Sequence, residues 1–456
     1  MSVVSTRSVE SDRTRLSQAE LQAILQKHRA YLKRQTGGIR ANLKLRDLSH
    51  LDLSGIDLSE ADLTGAKLFS SRLTGTILAN AILYAADLRL ANLEKADLRK
   101  ADLRGACLRG TVLSEALLSD ADLRDGTIMH ASQDGGLAVG EFEITEVKTE
   151  MTCATVRAAD LSRAKMSNTF VMQTDLTDSV LRGAKFINAN LTNANLTGCD
   201  LQGADLSSAN LTGVRLQGAV LTGATFKDSV FTNAVLTGAI MDEHTRRTAN
   251  FKDAVMSKTL AEAGIDLPTL LQQHGIWVDT GGRSGTRADL SNLDLSGARL
   301  ENANLSAAVL HCATLVGAKL AGATLAMADL SLADMRGADL AHADLRGASL
   351  ERATLSGADL TQAHAGPVHI QSSGGRLWST NLQRARLDQA RLDGADFRRA
   401  ALVSATLAGA SAKGAQMREA KLVAANLANA NFTGADLTDA DLSDAVRNGA
   451  VGLRGK

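Results

Sequence analysis

Four cysteines and nine histidines are the residues best suited to chemistry in this chain, and their spacing argues against it. Cys107, Cys153, Cys199 and Cys312 stand far apart with no CxxC, so neither a zinc site nor a disulfide framework is indicated. His28 and His274 each fall on the apolar stripe of a helical segment, where a cap histidine bonded to a neighbouring backbone outweighs a ligand. His130 and His369 each precede a Gly-Gly pair, Gly135-Gly136 and Gly374-Gly375, but nothing completes a metal sphere around them. Gly37-Gly38 and Gly281-Gly282 follow helices, so no helix N-terminus faces a phosphate there. No GxGxxG or GxxxxGK(S/T) stands in a strand–helix context, and scattered Ser, His and Asp without an elbow or pocket imply no catalysis. The reading is a protein with no catalytic, cofactor-binding or metal-binding residues.

What must position any working surface is therefore the scaffold. The chain has 456 residues, 45% apolar yet only 3% aromatic, with two prolines. Such an interior is narrow and filled by Leu and Ala. Fifty basic residues balance fifty acidic ones, which argues against a bulk polyanion binder and makes nucleic acid a poor partner. No apolar run is long enough to span a membrane and no leader follows Met1, so the expectation is a cytoplasmic protein without membrane contact.

Leucine recurs every five residues from Leu48 through Leu53, Leu58, Leu63 and Leu68 to Leu123. Ala stands two places before most of them (Ala61, Ala66, Ala81, Ala86), and Asp or Asn one place before (Asp62, Asp87, Asn92, Asp97). The unit is A(D/N)LxG. On a helix a step of five advances each Leu by about 140° beyond a full turn, smearing the series round the cylinder. On a flat strand successive leucines would alternate faces. A corner of about 90° per unit instead turns every Leu and Ala inward, and four units close a coil of about 20 residues. Stacked coils then pair as parallel rungs about 4.8 Å apart. Gly two places after Leu, as at Gly65 and Gly75, suits a corner with positive φ.

With these units the chain resembles the pentapeptide-repeat family. The resemblance implies an all-β solenoid, a right-handed square (quadrilateral) parallel β-helix, here with short α-helical caps. Interruptions in the five-residue phase divide the chain. A disordered 1–15 precedes a helical cap at 16–40 and a first repeat block at 41–128. An insertion at 129–155, a loop or hairpin, leads to block two at 156–256. A cap or linker at 257–286 precedes block three at 287–371, a loop at 372–376, block four at 377–445 and a tail at 446–456. Leu21, Leu25 and His28 reappear as Leu267, Leu271 and His274, which marks an internal duplication. Ser17 and Glu20 form a capping-box pattern, with Leu16 and Leu21 as its staple.

Cys199 then takes an inward Ala place and Cys107 an outward one. The place before the central Leu turns apolar at Ile77, Ile82, Val112 and Leu117, and again at Val220, Val230, Val235 and Ile240. Such places want cover. Internal cover is expected for block two. For block one Phe69, Ile77, Ile82 and Tyr84, with Phe142 and Ile144 from the insertion, form a candidate interaction surface for an unidentified protein partner. The leading function is a non-enzymatic scaffold or protein-interaction module. The alternative is a DNA mimic directed at DNA gyrase, which the family resemblance allows and the charge balance disfavours. The open final coil (Leu427, Phe432, Leu437, Leu442) points to a homodimer through the C-terminal end.

Overall fold

The computed structural model describes residues 15–130, 143–370 and 376–453. They divide into two compact units, Met1–Val235 with Met241–Ala254, and Leu236–Ile240 with Val255–Lys456. In each unit the repeats stack as coils joined by single parallel bridges between residues 20 apart: Asn42 with Asp62 and Asp62 with Ile82 in the first, Asp289 with Val309 and Val309 with Asp329 in the second. Four such ladders climb each unit, one for each repeat of a coil. The central leucines, Leu43 to Leu123 in the first series and Leu290 to Leu360 in the second, are buried, as are most alanines two places before them. Each fully buried Leu contributes on the order of 1.5–3 kcal/mol, so the lumen is the main source of stability.

The hydrogen bonds of one repeat explain the sequence unit. The central N–H reaches the neighbouring coil (Leu63 to Ile82 O, 2.7 Å), as does that of the corner residue (Gly65 to Tyr84 O, 2.8 Å). The outward N–H reaches the coil on the other side (Asp62 to Ala41 O, 3.0 Å), and the Ala N–H closes the turn (Ala61 to Leu58 O, 3.0 Å). One donor is left, that of the residue after the central Leu. Asp or Asn two places earlier takes it: Asp62 Oδ1 accepts from Thr64 N at 3.1 Å, and Asn190 Oδ1 from Thr192 N at 3.1 Å. This Asx arrangement is why the acid or amide stands there. The corner residue two after the centre has positive φ throughout, at Gly65 and Gly75 but also at Leu45, Glu60 and Leu90. Glycine suits the corner without being required by it.

Helix α1 (Gln18–Leu32) carries the expected capping box, Ser17 N to Glu20 Oε2 at 2.8 Å, and buries Leu16, Leu21 and Leu25. Its counterpart before the second series is α3 (Leu267–Asp279), started by Asp266 and by Pro268 in its first turn. This helix is shorter than the 257–286 segment assigned to it. A six-residue helix, α2 (Glu243–Thr248), was not foreseen, and beyond it Phe251 packs on Phe226 and Phe231 at 6.2 and 4.9 Å between ring centroids.

Several boundaries differ from the sequence reading. The first inward series ends at Leu123, because Ile128 lies in a hairpin of β1 (Gly126–His130) and β2 (Glu143–Val147). The coil resumes at Glu150, bridged to Cys107, with Met151 inward and buried, so the insertion is shorter than 129–155. Thr149 and Met151 had masked that repeat by replacing Ala and Leu. The short strands β3 (Lys258–Thr259) and β4 (Leu293–Asp294) pair in parallel. Residues 371–375 lie outside the described residues; on either side of them β5 (Val368–Ile370) pairs antiparallel with β6 (Arg376–Trp378), and the inward series resumes at Leu382 rather than Leu377. The last coil runs past 445, since Val446 and Val451 still bridge Asn426 and Asn431. Bridging uses backbone alone, so Arg447 and Gly452 in central places do not end it.

Both hairpins are spliced into the stack by the same device. Thr149 Oγ1 accepts from Gly105 N at 2.9 Å and donates to Arg124 O at 2.7 Å. Thr380 Oγ1 accepts from Gly347 N at 3.0 Å and donates to Leu345 O at 3.0 Å. A buried hydroxyl thus ties each point of re-entry to the neighbouring coil.

Candidate interaction surface

The four ladders of the first unit are sides one to four, starting at Asn42, Asp47, Asp52 and Asp57. Ile82 and Tyr84 flank Leu83 on side one, Phe69 lies on side two, and Ile77 on side four. The proposed surface is therefore not one patch but is spread over three sides. Phe69 stands edge-on to His50 at 5.6 Å, with Arg89 over its ring at 5.7 Å. Tyr84 lies under Arg104 at 5.4 Å. Both aromatics are half-buried and already engaged. Ile144 is in register with Met129 in the pairing of β1 and β2, and Phe142 lies outside the described residues.

Side four shows an order that linear reading missed. Its ladder runs Asp57, Ile77, Asp97, Leu117, Asp160, Val180, Asp200, Val220, with acid and aliphatic residues alternating rung by rung. Ile77 is 37% exposed, Leu117 39% and Val180 36%, while Val220 falls to 4%. The intervening acids are tied down. Asp57 accepts from Ser59 N at 2.9 Å, Asp97 holds Arg99 through two bonds of 2.8 and 2.6 Å, and Asp200 holds Arg182 at 2.7 Å. The signal was there only at the ladder spacing, 20 residues within a block and 43 across the insertion. Of the later apolar places, Val220 and Ile240 are buried as expected, whereas Val230 is exposed.

Charge is neutralised within repeats. Wherever Asp-Leu-Arg occurs, the Arg folds back on the Asp two places earlier: Arg89 on Asp87, Arg104 on Asp102, Arg124 on Asp122 and Arg346 on Asp344 at 2.7 Å, and Arg99 on Asp97 at 2.6 Å; with Met or Phe at the centre, Arg336 on Asp334 and Arg398 on Asp396 do the same at 2.7 Å. The Arg99 hydrogen bond holds Asp97 below the usual carboxylate range. The tripeptide itself carries the pairing. Each such pair cancels the local field of its own repeat.

The remaining chemistry-bearing side chains have structural settings. Cys199 is buried at an inward place and donates to Leu176 O at 2.9 Å, and burial pushes its thiol well above the ordinary range. Burial likewise raises Cys107, half-covered on side two. His369 is exposed on β5, and His130 lies on β1 opposite Glu143. Among the described residues no group of three His, Cys, Asp or Glu could hold a metal, and no helix is long and apolar enough to cross a membrane.

The family model for pentapeptide repeats matches this five-residue coil over residues 41–131, 157–243, 288–326, 328–364 and 380–446. The chain belongs to the pentapeptide-repeat family. Among solved structures this pentapeptide-repeat protein is similar to HetL, a protein involved in heterocyst differentiation regulation from the cyanobacterium Nostoc sp. strain PCC 7120, at 21% identity over 97% of this chain and 99% of that one, with a TM-score of 0.12. It is also similar to Rfr23 from the cyanobacterium Cyanothece 51142, at 23% identity over 34% and 90% of the two chains, with a TM-score of 0.20. A third is full-length QnrB1, a plasmid-mediated fluoroquinolone resistance protein, at 18% identity over 44% and 96%, with a TM-score of 0.18. Identities this low and superpositions this loose transfer no role. Among curated proteins none matches the chain.

Proposed function

We propose that this chain is a non-catalytic scaffold, its coils winding as a right-handed square helix, that holds a protein partner along side four of its first unit. The observation that carries the reading is the alternation of tethered Asp with exposed Ile77, Leu117 and Val180. Each aliphatic residue gives up the Asx bond that Asp or Asn makes elsewhere, so the coil loses a turn contact at each of these places. A local rule broken at a regular spacing marks selection for something other than folding. Neighbouring aliphatic rungs stand about 9.6 Å apart, two rung spacings, which sets the period a partner would match. Capture from native lysate with wild type and with an Ile77→Asp, Leu117→Asp double variant tests this. A protein retained by wild type and lost by the still-folded variant supports the reading; equal retention, or no specific protein at all, overturns it.

The final coil supports a second contact. Leu437 and Leu442 are only partly buried, and Val446 and Val451 are 46% and 52% exposed, beside backbone that has no further coil to pair with among the described residues. Pairing of two such ends would cover both, giving a homodimer that closes on itself. Light scattering on a size-exclusion column reads this directly. A monomer mass at tens of micromolar sinks the dimer.

A further inference from the structure

Most repeats inside a series close their turn through the carbonyl of the preceding central residue, as Ala61 N does with Leu58 O at 3.0 Å. Ala41 and Ala288 open their series and have no preceding centre. In both places a histidine ring stands in for the missing repeat. Ala41 N donates to His28 Nδ1 at 3.1 Å, and Ala288 N to His274 Nδ1 at 3.0 Å. Both rings are fully buried. Each stacks on the aromatic residue three places later, Tyr31 at 5.9 Å and Trp277 at 5.7 Å, with planes within 13° and 14° of parallel. The arrangement occurs twice in independent units.

A nitrogen that accepts from a backbone N–H carries no proton, so each seated ring is neutral with its hydrogen on Nε2. Nε2 is enclosed in both and reaches no acceptor at ordinary hydrogen-bond geometry. Protonating the ring would set one donor against another at Nδ1 and bury a cation. We propose that His28 and His274 are acid-sensitive latches: protonation frees α1 or α3 from the first coil of its own unit and bares that coil's leucines.

The charged groups facing the rings decide the order. Around His28 stand the carboxylates of Asp57 and Glu60 and the guanidinium of Arg40, with the Ser59 carbonyl; Tyr31 donates to Glu60 at 2.9 Å. Around His274 the charged group is Arg287, which also lies over Trp277, with the Ser306 carbonyl. Burial is the largest influence on both and lowers them from the ordinary imidazole value. A released ring therefore takes a proton near pH 6.5 while a seated one resists. The latch is fully engaged above about pH 6.5 and is lost as pH falls through the seated ring's lower value. With two carboxylates beside it, the His28 latch opens at the higher pH.

Fluorescence reads the second latch, because Trp277 and Trp378 are the two tryptophans of the chain and only Trp277 stacks on His274. In a Trp378→Phe background, emission is expected to change in one step centred below pH 6.5, and to stay flat over that range after His274→Asn. Asn keeps an acceptor near the Nδ1 position and has no proton to gain. Amide exchange at Ala41 and Ala288, corrected for intrinsic rate, should rise at least tenfold from pH 7 to pH 5 in wild type, earlier at Ala41. It should not rise in the His28→Asn, His274→Asn double variant. A step at or above pH 6.5, or equal exchange in wild type and double variant, overturns the proposal. If the Asn variant fails to seat its caps even at pH 7, the wild-type emission midpoint decides alone.

Discussion

Leu45 folds its Cδ2 over Gly65, 2.7 Å from the point where a side chain at 65 would begin. Gly55, two corners before Gly65 and with nearly the same φ, has open space there. Alanine at 55 should destabilise by about 1 kcal/mol, the cost of the left-handed conformation alone. Alanine at 65 should cost little more, because Leu45 is exposed and can swing aside. Urea unfolding of the two variants separates backbone strain from crowding; a loss of several kcal/mol at 65 alone would show that Leu45 is fixed.

Asp placed in the lumen has no partner. Leu98→Asp and Leu330→Asp should each lose several kcal/mol, while Arg99→Ala, at a fully exposed position, should melt with wild type. Thermal melts check this, and a wild-type melt for either Asp variant contradicts the inward assignment.

Ile77→Asn restores the Asx acceptor that the coil lacks at this corner, for the N–H of Ala79. Stability should rise by roughly 0.5–1.5 kcal/mol, the worth of one such bond, while partner capture falls. A variant that captures less and is no more stable would remove the argument that binding was selected against folding at this place.

Acid should weaken the solenoid in a second, lower window. Burial pulls Asp160 and Asp396 upward, but Ser119 and Ser162 at the first and Arg398 at the second outweigh it, and both end below the ordinary value. Their contribution is complete above about pH 4 and is lost as pH falls through the folded values. Melting temperature should therefore drop steeply below pH 4. A flat profile down to pH 2.5 would deny these carboxylates any role.

DNA gyrase supercoiling should be unaffected at micromolar protein. Acidic residues equal basic ones over the chain, and the pairs of an Asp with the Arg two places later cancel the field where they occur. Dose-dependent inhibition would restore the DNA-mimic alternative.

The inward leucines were legible because nothing but a corner every five residues keeps Leu43 to Leu123 together. The histidine caps were legible too, since His28 and His274 sit at matched places in duplicated helices. The hairpin edges were not, because Ile128 and Leu377 hold the phase of the repeat while leaving the coil. Nor was side four: Leu117 and Asp160 adjoin on a ladder but lie 43 residues apart in the chain, so their alternation has no linear trace.

The splice at Thr149 carries a consequence for how such a chain tolerates insertion and deletion. Asp122 bridges Lys165, so the excursion adds 23 residues to the ordinary 20 (165 − 122 = 43) and the ladders continue undisturbed. A genetic loss of 20 residues within a block removes one storey and leaves every face in line. A loss of five keeps each leucine inside yet turns all that follows by one side. The lumen would not register the change, but side four would be cut in two, its Ile77 half facing one way and its Val180 half another. The alignment of a face along the stack is therefore far more sensitive to the length of a deletion than the packing of the lumen is.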